Sequence, residues 1–161
     1  MLHRFMKMLR GSRTRRGTAP DRRALNLPLE PSAANGPALA TRIVEVTRQV
    51  EGVQLDYSPE SLKWVDGLIL GLREDGQTFD DVGETVFLFG CYAGEVLARS
   101  LDGQWAEPGE KEAEAGLQMP GIRVPSGTFW NPIGKALRLL ENGPTESLHY
   151  MWFVASERSA A

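Results

Sequence analysis

The chain has very little cysteine and histidine, the residue types that most often bind metals or activate nucleophiles. Cys91 is its one cysteine, and its two histidines are His3 and His149. A single cysteine cannot form a disulfide within the chain, and a histidine-based metal site or catalytic triad would have to be built around His149 alone. We therefore predict no metal site, no cofactor and no catalytic residue, and we interpret Cys91 as an inert buried thiol.

The sequence also lacks the signatures of common enzymes and of membrane spans. It contains no Walker loop, dinucleotide-binding fingerprint, nucleophile elbow, HExxH motif or CxxC pair. No apolar stretch is long enough to cross a bilayer, and the basic start is not followed by the apolar core of a secretion signal. Together with the single cysteine, these absences favour a cytoplasmic protein that is not an enzyme.

Charge is unevenly distributed along the chain. Residues 1–36 carry eight Lys or Arg and two acidic residues, whereas residues 37–161 carry ten and nineteen. The acidic part argues against a nucleic-acid interface, because phosphate binding needs clustered cations. We expect a protein or small-ligand partner instead, and the negative charge suits a basic protein.

Residues 1–36 are predicted to be a basic disordered arm, because they are rich in Arg, Pro, Ser and Ala and show little regular apolar period. The exception is residues 1–10, whose spacing is compatible with a short amphipathic helix. Its apolar residues are Leu2, Phe5, Met6 and Leu9. One alternative therefore stays open, a peripheral membrane protein that is anchored by residues 1–10.

Apolar periodicity predicts a single α+β domain over residues 37–156, followed by a frayed tail at 157–161. Helical spacing occurs in five segments: 38–50, 59–72, 80–99, 132–140 and 145–155. Short strands are predicted at 104–106, 121–124 and 128–130. The predicted architecture is three N-terminal helices packed on a small antiparallel sheet, followed by two C-terminal helices.

Capping and turn residues predict several boundaries within this domain. Ser58 followed by Pro59 indicates the start of the second helix, and Thr145 is predicted to cap the last one. The pair Asp102–Gly103 predicts a hairpin-type turn. Residues 107–116 are acidic, contain Pro and Gly, and are predicted to be a loop.

The third predicted helix contains three glycines on one stripe, Gly83, Gly90 and Gly94. Each costs about 1 kcal/mol relative to alanine in a helix interior. Their spacing of seven and four residues places them on one side, where another backbone or a ligand can approach closely. Close helix packing is the preferred interpretation, and ligand approach is the alternative.

We predict a binding surface near the end of this helix. Its residues are Gly90, Tyr92, Gly94, Glu95, Trp105 and Lys135. The glycines would allow close approach and the other side chains would supply contacts. Glu95 is also expected to pair with Arg99, four residues on, or to reach the following β segment.

Glu84 and Glu95 are poorly placed to act together as acid and base. Three helical turns separate them by about 16 Å, whereas paired glycosidase carboxylates lie closer. We interpret both as solvated helix carboxylates. The enzyme alternative instead uses Glu95, Tyr92 and His149 as acid/base groups, and it requires these side chains to converge in a cleft.

Four short motifs resemble those of a family of small uncharacterised bacterial proteins. They are Gly90-Cys-Tyr-Ala-Gly-Glu-Val-Leu, Asp102-Gly-Gln-Trp, Asn131-Pro-Ile-Gly-Lys and Arg138-Leu-Leu-Glu-Asn-Gly. The family pattern is a helix ending in G-x-Y-x-G-E-V, a G-G-x-W turn, a V-x-P-type strand and a K…R-L-x-N-G helix end. The resemblance covers about Leu55 to Phe153. The chain departs from it at Asp102, where the family tends to have glycine.

The resemblance implies a shared fold and a shared surface, without an established activity. Together with the residues, it leads us to expect a non-enzymatic binding or interaction module. An immunity-type or toxin-neutralising role is one concrete form of such a module.

Overall fold

The computed structural model describes residues 25–161, which form an α+β fold as predicted. In chain order the helices and strands are α1 (Gly36–Glu51), α2 (Ser61–Glu74), α3 (Phe79–Ser100), β1 (Gln104–Ala106), α4 (Glu110–Glu114), β2 (Gly121–Arg123), β3 (Phe129–Trp130), α5 (Pro132–Asn142) and α6 (Leu148–Ala160). Single 3-10 turns at Ala33–Asn35 and Pro144–Glu146 precede α1 and α6. Helix α4 lies in the segment predicted to be a loop.

Helix α3 is the centre of the core because its sequence is apolar on nearly every side. From Val82 to Leu97 every residue except Glu84 is buried, as expected for a helix that lacks a polar face. Helices α1 and α5 make the most extensive contacts with α3, and α2 packs mainly against α5 and α6. Within residues 25–161, no helix combines the length and apolar content needed to cross a membrane.

The sheet is an antiparallel meander in the order β1-β2-β3. Trp105 of β1 lies opposite Ile122 of β2, which in turn lies opposite Trp130 of β3. The three predicted strands are therefore confirmed. Of the three N-terminal helices, α3 makes the main contacts with the sheet, and α5 also packs on it.

Two of the predicted turn and capping signals are wrong. Asp102, with φ at +52°, lies in the turn between α3 and β1, so Asp102–Gly103 does not close a hairpin. Thr145 does not cap the last helix, because the Ser147 hydroxyl accepts the capping hydrogen bond from Tyr150 N at 3.0 Å. The Ser58 hydroxyl does accept from Ser61 N as expected, but regular helix begins at Ser61 and not at Pro59.

Asp66 of α2 explains why α6 begins where it does. Its buried carboxylate accepts hydrogen bonds from Ser147 Oγ at 2.6 Å, Leu148 N at 2.8 Å and His149 N at 3.2 Å. The first N–H groups of a helix have no partner within the helix, and negative charge is favoured at that end. A residue that is remote in sequence therefore provides the cap, and the helix continues to Ala160, past the predicted tail boundary at Ser156.

Contacts with later parts of the chain begin before Pro37, the predicted start of the domain. Asn26 N donates to Glu84 Oε1 at 3.3 Å, and Ala33 N donates to Glu107 Oε1 at 2.7 Å. Backbone contacts of this kind leave no apolar period in the sequence, so sequence reasoning did not anticipate them. The predictions for residues 1–10 and for the rest of the arm up to residue 24 lie outside the described residues.

Candidate binding site at the end of helix α3

The glycines of α3 are places of close packing within the chain. A Cβ built on Gly90 would lie 2.5 Å from Ile133 Cα of α5, and one built on Gly94 would lie 2.5 Å from the Trp105 ring. At Gly83 a Cβ would come within 3.2 Å of Leu25. The packing interpretation is confirmed, and residues of the same chain occupy the space in which a ligand was considered.

Trp105 packs against two glycines that belong to different helices. Its six-membered ring contacts Gly94 of α3 and also Gly36 at the start of α1. Its indole Nε1 donates a hydrogen bond to Glu95 Oε1 at 2.8 Å. The side chain therefore joins strand β1 to both helices, and it is only half-buried.

Glu95 is a buried carboxylate with two hydrogen-bonded partners. Its exposed fraction is 7%, and it accepts from Arg99 Nε at 3.0 Å as well as from Trp105. Both expected contacts, with Arg99 and with the β segment, are confirmed. The interpretation of Glu95 as a solvated carboxylate is wrong, because the side chain is buried. A charge at this depth needs hydrogen-bonded partners to offset its desolvation.

Tyr92 is fully buried, and its hydroxyl is held from two sides. It accepts from Tyr57 N at 2.9 Å and lies 2.6 Å from Ser61 Oγ. Because Ser61 Oγ donates to Ser58 O, the Tyr92 hydroxyl is the donor in that second contact. Burial raises the pKa of the Tyr92 phenol above its ordinary value, so the hydroxyl keeps the proton that it donates.

Tyr57 extends this arrangement toward the surface. Its ring stacks on the Tyr92 ring with 5.1 Å between centroids. The Arg99 guanidinium makes a cation–π contact with the Tyr57 ring, at 3.7 Å from the ring centroid. Its φ of +61° falls in the left-handed region, where side chains other than Gly, Asn and Asp are uncommon. The surrounding contacts therefore hold Tyr57 in a backbone conformation that costs about 1–3 kcal/mol.

These contacts form one continuous set that we call the α3 network. Its members are Ser61, Tyr92, Tyr57, Arg99, Glu95 and Trp105. Three members reach the surface: Tyr57 and Trp105 are half-buried, and the Arg99 side chain is 56% exposed. Sequence reasoning missed Tyr57 and Ser61, because no local pattern indicates a positive φ or a contact over 31 residues.

Lys135 has a different partner from the other predicted site residues. Its Nζ donates to Glu146 Oε2 at 2.6 Å, and Arg138 Nε lies 3.6 Å from the same oxygen. The Lys135 hydrogen bond lowers the pKa of Glu146. Lys135 therefore fixes the 3-10 turn before α6 against α5, while Tyr92, Gly94, Glu95 and Trp105 meet in or beside the α3 network.

The enzyme alternative requires His149 to meet Glu95 and Tyr92, but the contacts of His149 are with other residues. The centroid of the His149 ring lies 5.8 Å from that of the Trp152 ring, and the His149 backbone N–H is bonded to Asp66.

Cys91 is buried, and burial raises the pKa of its thiol so that no thiolate forms at neutral pH. In residues 25–161, no three His, Cys, Asp or Glu side chains are grouped to hold a metal ion.

The fold and the α3 network define a largely helical α+β domain with a polar and aromatic surface at the end of its central helix. No family model matches the chain, and no curated protein or solved structure matches it either. The resemblance to a small bacterial family therefore stays a prediction. Its glycine corresponds here to Asp102, whose positive φ is one that glycine adopts without strain.

Proposed function

We propose that the protein is a non-enzymatic binding module that recognises a protein partner with the face formed by Tyr57, Arg99 and Trp105. The α3 network is the observation that carries this proposal. Its contacts with Tyr92 and Glu95 fix the three side chains, and part of each side chain stays accessible. Trp, Tyr and Arg are the residue types that dominate binding energy at protein interfaces. Side chains that are already fixed lose little entropy when a partner binds.

The backbone of Tyr57 supports a role beyond packing. Its positive φ costs free energy that an asparagine or glycine would largely avoid. The position instead has an aromatic ring that stacks on Tyr92 and contacts the Arg99 guanidinium. A strained residue that stays partly accessible is typical of a binding surface.

The face draws on three separate parts of the scaffold. Tyr57 lies in the link before α2, Arg99 lies in the last turn of α3, and Trp105 lies in β1. In this proposal the three N-terminal helices, the sheet and the two C-terminal helices are the support that brings these segments together. A cytoplasmic location, expected from the sequence, is part of the same proposal.

The partner that suits this face is a basic protein. Residues 37–161 carry nineteen acidic residues against ten Lys or Arg. Two exposed carboxylates, Asp56 and Asp102, adjoin the face in sequence. The Ser58 hydrogen bonds lower the pKa of Asp56 below its ordinary value. Neutralisation of a basic toxin is one concrete form of this role.

Peptide selection against the full chain tests the proposal. Phage that display random 15-residue peptides are enriched on the wild-type protein, and the affinities of the selected peptides are then measured on two variants. Tyr57→Asn removes the ring and keeps a residue that tolerates positive φ. Tyr150→Asn is the matched control, because Tyr150 is 60% exposed on α6.

We expect the selected peptides to bind Tyr57→Asn about tenfold or more weakly than wild type, as expected for an interface anchor. Their affinity for Tyr150→Asn should stay within about twofold of wild type. Circular dichroism confirms that both variants are folded. Peptides that bind Tyr57→Asn and wild type equally would contradict the proposed face.

A further inference from the structure

A groove next to the proposed face is lined by groups that accept hydrogen bonds. It has a volume of about 370 Å³ and lies between the end of α3, the turn between β2 and β3, and the last turn of α6. Its polar lining residues are Ser100, Asp102, Ser126, Ser156 and Ser159. Ser100 directly follows Arg99, and Asp102 lies three residues beyond it, so the groove lies beside the face at the end of α3.

The lining of this groove itself carries negative charge. Among residues 25–161, Asp102 is the only charged residue that lines it. The C-terminal ends of α3 and α6 both border it, each with a partial negative charge. Three arginines are close to these residues in sequence, and each has a partner outside the lining. Arg99 lies over Tyr57, and Arg158 lies over Trp130 with 5.6 Å to the ring centroid. Arg123 donates to Glu112 and to Gly127 O in the turn between β2 and β3. The groove is therefore suited to a cation.

Hydroxyl groups in the wall are oriented as acceptors. Ser156 Oγ donates to Phe153 O at 2.7 Å. Ser100 Oγ donates to Val96 O at 2.6 Å and accepts from Trp152 Nε1 at 3.0 Å, which leaves it one further lone pair. A hydroxyl whose proton is already used offers lone pairs to an incoming group. A lysine ammonium or an arginine guanidinium has only donors, so it matches this wall.

We propose that this groove takes a lysine or arginine side chain of the partner, with Asp102 as its counter-charge. This inference rests on the proposed function and adds the chemistry of the group that the partner presents. Asp102 lines the groove from the turn between α3 and β1, where its backbone has a positive φ. The ammonium or guanidinium would donate to Asp102 and to the serine hydroxyls.

The test uses the full chain and tetralysine amide as a defined probe, followed by NMR of the backbone amides. We expect saturable shifts at Ser126, Ser156 and Ser159, and no saturable shifts from the fully acetylated peptide, which has lost its charge. Asp102→Asn should weaken tetralysine binding about threefold to tenfold, as expected for a charge-assisted hydrogen bond. Asparagine tolerates the same φ, so the turn is kept.

Asp75→Asn is the matched control, because Asp75 is an exposed carboxylate in the turn after α2. It should leave tetralysine binding unchanged. Shifts centred outside the groove, equal binding of the acetylated peptide, or equal weakening by Asp75→Asn and Asp102→Asn would overturn the inference. Selected peptides that bind Tyr57→Asn more weakly but bind Asp102→Asn as tightly as wild type would support the proposed face and contradict a role for the groove.

Discussion

Glu95 and Trp105 are joined by a hydrogen bond of 2.8 Å from the indole Nε1 to the carboxylate, across ten residues that leave helix α3 and enter strand β1. The bond ties the sheet to the central helix and orients the indole against Gly36 and Gly94. The carboxylate that accepts it is buried, so the pair fixes both the local fold and the surface that Trp105 presents.

Removing the indole donor should destabilise the fold. In Trp105→Phe, the buried Glu95 carboxylate loses one of its two partners, and we expect the free energy of unfolding to fall by about 1–3 kcal/mol. Urea denaturation followed by circular dichroism measures this. Trp152→Phe is the matched control, because Trp152 Nε1 donates to the exposed Ser100 hydroxyl and its loss should cost less. Equal losses would contradict the special role of the buried carboxylate.

Alanine substitutions at two helix glycines should change stability in opposite directions. Gly90→Ala places a methyl group against the Ile133 backbone, and we expect it to lower the free energy of unfolding by about 1–3 kcal/mol. Gly67 of α2 has no atom within 4 Å of the added Cβ, so Gly67→Ala should stabilise by about 0.5–1 kcal/mol. Thermal or urea unfolding measures the stability of the two variants. Destabilisation by both substitutions would refute the packing explanation.

The remote cap of α6 should be energetically important. Asp66→Ala leaves Leu148 N and His149 N without their acceptor, and we expect a loss of about 1–3 kcal/mol. Amide hydrogen exchange should accelerate first in the opening turn of α6. Exchange in that turn at the wild-type rate would show that the cap is not needed. Asp75→Ala, at an exposed turn position, is the control and should change little.

Thr47 of α1 should tolerate loss of its hydroxyl. Its side chain is buried, and its Oγ1 has no hydrogen-bond partner in the part of the chain described. Thr47→Val should therefore leave the free energy of unfolding unchanged or raise it by about 1 kcal/mol. Thr41→Val, in which an exposed hydroxyl loses its bond to Pro37 O, should not stabilise. A clear loss for Thr47→Val would show that the hydroxyl is satisfied.

The sequence was most informative where the determinants of structure are local. The start of α5 at Pro132 and its end before Gly143 follow from capping and turn residues that lie within the segment itself. The i, i+4 pair of Glu95 and Arg99 could be predicted for the same reason. These features depend on a few neighbouring residues and little on the rest of the chain.

The failures have non-local causes. The sequence predicts Thr145 as the cap of the last helix, but the cap is Ser147, whose hydroxyl donates to Asp66 of helix α2. The burial of Glu95 depends on Trp105, which arrives only when β1 packs on α3. The positive φ of Tyr57 has no local signature, so the residue that brings the α3 network to the surface could not be identified from the sequence.

The most direct test of the proposed face is the indole N–H spectrum of the full chain while a selected peptide is added. The four tryptophans, Trp64, Trp105, Trp130 and Trp152, each give one signal that reports on a different part of the surface. The proposal predicts that the Trp105 signal shifts the most and saturates with the measured affinity. An unchanged Trp105 signal, with the largest shift at Trp64 or Trp130, would contradict it.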